Sequence, residues 1–127
     1  MQYSSDKTRT FAYPVAVANI RHPVSFSKAN RDVKCLVDSG ADFSGIPVPL
    51  LNRLRIRADG VPEEVSDYDD RPRLQEFSLV TISLCGKNCG PTRVARLNKK
   101  AVPILGRDVL NQFDVRLNGP ELVCEIE

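Results

Sequence analysis

Apolar residues fall on every second position along much of this chain, the period of a strand with one face buried. Phe11, Tyr13, Val15 and Val17 alternate over Phe11–Asn19, with Pro14 suited to a sheet edge or a bulge. Arg21–Asn30, carrying His22-Pro23, reads as a hairpin loop. Val33–Val37 is mostly apolar and predicts a buried strand, ended by the turn-forming run Asp38-Ser39-Gly40-Ala41-Asp42. Within Pro47–Leu54, Leu50, Leu51 and Leu54 sit at helical spacing, enough for a turn or two of helix. Asp59-Gly60 is a turn, and Glu63–Arg73 is strongly charged, with Asp69-Asp70-Arg71-Pro72 at a hairpin tip. Phe77, Leu79, Ile82 and Leu84 give a strand with an irregularity near Val80. Gly86–Gly90 turns the chain, and Thr92–Leu97 alternates again. Val102–Leu105 is a short apolar strand stopping at Gly106. Arg107–Gln112 suits a short helix whose first-turn Asp108 complements the helix dipole. Val115–Leu117 and Leu122–Ile126 flank Asn118-Gly119, a hairpin signal. The expected fold is therefore all-β, one domain over residues 1–127, with one short helix near the C-terminus. Met1–Thr10, polar and without period, is expected to be a flexible arm.

Composition narrows the function classes. A chain of 127 residues can bury a core without disulfides or metal, and 27% charged with 42% hydrophobic residues is the profile of a soluble globular protein. The net charge of +2 and scattered basic residues, clustered only at Lys99-Lys100 near Arg93 and Arg96, point away from nucleic acid. No stretch has the apolar length of a membrane span, and the N-terminus lacks the apolar core of a signal peptide. The expectation is a cytoplasmic protein with reduced thiols and no membrane partner. Cys35 and Cys124 lie in apolar runs as small hydrophobes. Cys85 and Cys89 do not have the paired spacing of a structural zinc site, so a redox-sensitive pair at a hairpin end is the better expectation; no metal or cofactor is expected. His22, the single histidine, has no evident partner for nucleophilic catalysis, and no phosphate-cradling glycine loop is present.

Two segments carry chemistry. In Leu36-Val37-Asp38-Ser39-Gly40-Ala41-Asp42 a carboxylate follows directly on a buried strand, where it needs hydrogen bonds to be tolerated. Ser39 offers a hydroxyl, and Gly40 lets the backbone fold back to aim its N–H at the carboxylate. Alone, this is also ordinary turn chemistry. The second segment, Ile104-Leu105-Gly106-Arg107-Asp108-Val109-Leu110, is a strand that stops at glycine and opens a helix with a basic residue. Together and in this order, the two segments resemble the paired signatures of the retropepsin-like aspartic proteases, in particular the single-domain bacterial type, over roughly Tyr13–Ile126.

That resemblance implies a retropepsin-like closed β-barrel that is half of a two-fold homodimer, acting on polypeptide substrates. It implies Asp38 as the catalytic carboxylate and Ser39, Gly40, Ala41 and Arg107 as support for its loop. Asp42 would contact substrate backbone and pair with Arg107, and Tyr68 could reach the cleft. Only one such loop occurs in the chain, so the second carboxylate has to come from a second copy. The family's use of terminal strands at the dimer base implies Leu122–Ile126 for that sheet. The chain departs from the family at the flap. Val65–Glu76 contains no glycine and is charged and proline-stiffened, which predicts a less mobile tip and a preference for polar substrates. The same departure leaves a rival open, a non-catalytic peptide-binding or dimerisation module on the retropepsin-like fold.

Overall fold

A computed structural model of the chain describes residues 1–3, 12–25, 28–66 and 69–127, with residue 31 described by its backbone alone. Six strands close into a barrel: β1 (Val15–Arg21), β2 (Ala29–Val37), β3 (Gly45–Pro47), β6 (Phe77–Leu84), β7 (Lys87–Leu97) and β8 (Ile104–Leu105). Their order around it is β1-β2-β8-β3-β7-β6. Two hairpins lie outside the barrel: β4 (Glu63–Ser66) with β5 (Pro72–Gln75), and β9 (Val115–Asn118) with β10 (Val123–Ile126). Two short helices, α1 (Val48–Arg53) and α2 (Arg107–Leu110), follow β3 and β8. The first is the leucine-spaced segment, which buries Leu50 and Leu51.

The core is the barrel interior and its base. Alternation in β1 buries Ala16, Ala18 and Ile20, and β2 buries Val33, Cys35 and Val37 while Lys34 faces water. β2 is thus a half-buried strand, not a uniformly buried one. Burial also pushes the Cys35 thiol up to about 12, so it behaves as an inert apolar side chain.

Several expectations shift. β1 begins at Val15; Phe11 lies outside the described residues. In β6 the continuous buried set is Ser78, Val80, Ile82 and Leu84, whereas Leu79 is only half-buried. The apolar pattern puts Leu79 inside because a serine there looks unfavourable. The structure satisfies that serine: Ser78 Oγ donates to Arg57 O at 2.8 Å and accepts from Arg96 Nη1 at 2.7 Å. The irregularity of β6 falls between Thr81 and Ser83. The β6–β7 turn is the two residues Cys85 and Gly86, both at positive φ (53° and 76°), the twist a tight hairpin demands. Cys89 therefore sits in a strand and not at the hairpin end.

The chain's first residues are not loose where they are described. Gln2 bridges Val123, Tyr3 N–H donates to Leu122 O at 2.8 Å, and Cys124 N–H donates to Met1 O at 2.6 Å. The rest of the expected arm lies outside the described residues. β10 is consequently bordered by β9 on one side and by residues 1–3 on the other, with Cys124 and Ile126 buried. Residues 1–3 thus take up the edge of the expected strand over Leu122–Cys124. No helix among the described residues is long and apolar enough to cross a membrane.

Candidate active site

The site grows out of the parallel pairing of β2 with β8, which sets Leu36 beside Ile104 and Val37 beside Leu105. That register delivers both sequence signatures to one end of the barrel. Asp38, the first residue past β2, is held by its backbone N–H to Leu105 O at 3.0 Å. The loop then turns tightly. Ala41 N–H donates to Asp38 O at 3.2 Å, and Gly40 N–H donates to Asp38 Oδ1 at 2.9 Å. A Cβ on Gly40 would lie 3.2 Å from that same carboxylate oxygen, so glycine is what lets the N–H come this close. Asp38 is half-buried, while Ser39, Gly40 and Asp42 face solvent in the single chain.

α2 braces the loop from below. Arg107 Nη1 donates to Ser39 O at 2.7 Å, Arg107 Nη2 forms an ion pair with Asp42 Oδ1, and Arg107 N–H donates to Ala41 O at 2.9 Å. Arg107 thereby fixes three successive parts of the loop with one residue, using the fork geometry that lysine lacks. The ion pair itself is largely exposed, at 42% and 68%, so its role is orientation and not stability.

Beneath this lies a second set of bonds that sequence reasoning missed. Ser44 is fully buried; its N–H and its Oγ both donate to the Asp108 carboxylate, at 3.0 and 2.7 Å. Ser44 Oγ accepts from Gly106 N–H at 3.0 Å, and Asp108 Oδ1 also accepts from Val109 N–H at 2.9 Å. The sequence presents Asp108 only as a charge on a helix start. In the fold its carboxylate clamps the far side of the Asp38 loop to that start, and its place directly after Arg107 was the one available hint. The fit is close: a Cβ on Gly106 would meet Phe43 backbone at 2.7 Å and Ala41 O at 2.9 Å.

Phe43 links this loop to the rest of the barrel. It is partly exposed and packs edge-on against Phe77 with ring centroids 5.2 Å apart. Arg93 stacks on the other ring, 4.8 Å from its centroid, and pairs with Glu63 at the start of β4 and with Asp59. The β4–β5 hairpin is thus tied to the loop through an aromatic–cationic stack. Tyr68 lies outside the described residues. Among the described residues, no three His, Cys, Asp or Glu side chains converge as a metal site would require.

No protein family's sequence profile matches the chain, and no curated protein does. Among solved structures it is similar to the EIAV protease complexed with the inhibitor HBY-793, at 24% identity and a TM-score of 0.59. The match covers 88% of this chain and 93% of that one. The fold is retropepsin-like. At this identity the likeness bears on architecture, and the chemistry rests on the loop geometry above.

Proposed function

We propose that the protein is an aspartic endopeptidase in which Asp38 from each of two copies forms the catalytic pair. One observation carries this: a half-buried carboxylate, gripped by the Gly40 N–H on a loop braced by Arg107, faces solvent at the end of a retropepsin-like barrel. One carboxylate cannot both activate water and protonate the scissile carbonyl. A two-fold axis beside Asp38 supplies its copy, and two such close carboxylates share one proton because both cannot readily ionise. The ionised member then takes a proton from a water as that water attacks the peptide carbonyl carbon, and the protonated member donates to the carbonyl oxygen. The resulting tetrahedral gem-diol collapses with C–N cleavage as the amine is protonated. No acyl-enzyme forms. Ser39 would bond across to the partner's loop, and Asp42, presented at the surface by Arg107, would contact substrate backbone.

The test is cleavage of a mixed peptide library at about pH 4 to 7, where a shared-proton carboxylate pair operates. Wild type should cleave and be inhibited by statine-type compounds; Asp38→Asn should lose cleavage while remaining folded. Cleavage that persists in Asp38→Asn rules the reading out. The glycine-free β4–β5 hairpin supports the alternative, a peptide-binding module without turnover, and that alternative requires peptide binding with no cleavage by wild type.

A further inference from the structure

Helix α1 ends on an arginine where glycine would be expected. Arg55 N–H donates to Asn52 O at 3.0 Å and Ile56 N–H donates to Leu51 O at 2.9 Å, the two bonds of a Schellman cap. That cap needs a left-handed residue just past the helix, a place that favours glycine. Here it is Arg55, at φ 57°. Cations at a helix C-terminus complement its dipole, which accounts for Arg53 and Arg55 taken alone. It does not account for Arg57 and Arg96, which lie outside the helix.

Arg55, Arg57 and Arg96 line one groove of about 470 Å³, with Asn52, Ile56 and Ala58 as the rest of its wall. Their backbones are fixed. The cap holds Arg55, and Arg57 O accepts from Ser78 Oγ at 2.8 Å. Arg96 N–H donates to Glu76 O at 2.9 Å, and Arg96 O accepts from Gln75 Nε2 at 3.0 Å. Arg96 is half-buried, with its Nη1 tied to Ile56 O and Ser78 Oγ. Among the described residues, none of the three arginines makes an ion pair, and no carboxylate lines the groove. Asp59 and Glu63, which follow in the chain, pair with Arg93 instead. A second groove touching α1 is different, because there Lys34, Arg53 and Lys99 share the space with Asp32. Like charges gathered around one space repel, and an anion placed among them turns that repulsion into attraction.

We infer that Arg55, Arg57 and Arg96 form a binding site for a phosphate group. The planar guanidinium fork matches phosphate oxygens in pairs. A phosphate monoester carries close to two negative charges near neutral pH, against one for a carboxylate, so it balances more of the site. The left-handed Arg55 is then held at a conformational cost for the sake of its side chain. The groove shares no residue with the Asp38 loop or its brace, so the site stands whether or not the protein is a protease.

Calorimetric titration of the full chain at low salt tests this, with inorganic phosphate as one probe and a short peptide carrying one phosphoserine as the other. Arg55→Gly and Arg57→Ala are the variants. Both side chains are exposed, and glycine suits the φ of residue 55, so Arg55→Gly should melt no lower than wild type. Each variant should weaken phosphate binding by about tenfold, the loss of one charge-assisted hydrogen bond. Lys99→Ala, in the groove that already holds Asp32, should leave binding unchanged. Lowering the pH from about 7.5 to about 5 protonates the dianion and should weaken binding several-fold. Binding of inorganic phosphate alone makes this a site for the free ion, and tighter binding of the phosphopeptide makes it a site for a modified polypeptide; both support the inference. No binding of either probe, or undiminished binding by Arg55→Gly and Arg57→Ala, would overturn it. So would a peptide with glutamate in place of phosphoserine that binds as tightly, or a single-stranded oligonucleotide that binds more tightly than both probes.

Discussion

The Asp38 loop and the β4–β5 hairpin are held in opposite ways. The loop is short and lies at the surface, yet it is tied to residues 62 to 68 positions away by bonds from Arg107, Asp108 and Gly106. Several of those groups are buried, so opening the loop would strip bonds from N–H groups that water cannot reach. Among the described residues, the two strands of the hairpin pair only with each other. Its anchors are the buried Gln75, whose Nε2 donates to Glu76 O and Arg96 O, and the exposed Arg93–Glu63 pair. Leu74 on its surface is 73% exposed. Local opening free energies follow buried contacts, so the loop should open only with the barrel and the hairpin well before it. A protease would need that division: a carboxylate that cannot wander, and a cover that can lift to admit a chain.

The sharpest way to break the comparison is to spoil the loop's fit. Gly106→Ala forces a methyl group into the Phe43 and Ala41 backbone, where no flexible side chain can yield. The expected loss is about 3 kcal/mol, seen as a fall of roughly 10 °C in melting temperature for a chain of this size. Asp108→Ala should come next. It leaves the Ser44 hydroxyl and N–H short of their acceptor, while Val109 N–H keeps Gly106 O, at a cost of about 2 kcal/mol. Asp108→Asn, which keeps an acceptor oxygen, should recover about half of that. The smallest effect belongs to the hairpin. Arg93→Ala removes a partly exposed ion pair and a ring stack together worth about 1 kcal/mol, so global stability should hardly move. Hydrogen exchange should nonetheless quicken selectively in β4 and β5, by about fivefold, while β2 and β8 amides keep their protection. Equal acceleration in both regions would erase the distinction.

The parts of this site legible in the sequence were those whose chemistry is local. Asp38 and Gly40 act on each other within one turn, so their relation can be read from adjacent letters. Arg107 was reachable only through the resemblance of two distant segments. The Ser44–Asp108 clamp was not legible, because a serine after Phe43 and an aspartate on a helix start each have an ordinary explanation, and it takes the pairing of Gly45 with Ile104 to bring them together. In β6 the pattern places Phe77, Ile82 and Leu84 inside, where they are buried, but misplaces Leu79 and Ser78 for a related reason. Period alone assigns Ser78 outward, and the bonds to Arg57 and Arg96 that make it a buried residue come from elsewhere in the fold. The pairing of residues 1–3 with β10 had no signal, since three residues are too few to show a period.

The claim that one carboxylate comes from each of two copies is tested most directly by mixing. Wild-type and Asp38→Asn protein, combined at fixed total concentration and allowed to exchange subunits, should give peptide cleavage that falls as the square of the wild-type fraction. An equal mixture would then retain about one quarter of the activity, because a dimer with one asparagine lacks the second carboxylate. Activity that falls in simple proportion, to about one half, would mean that each chain works alone and would contradict the shared site.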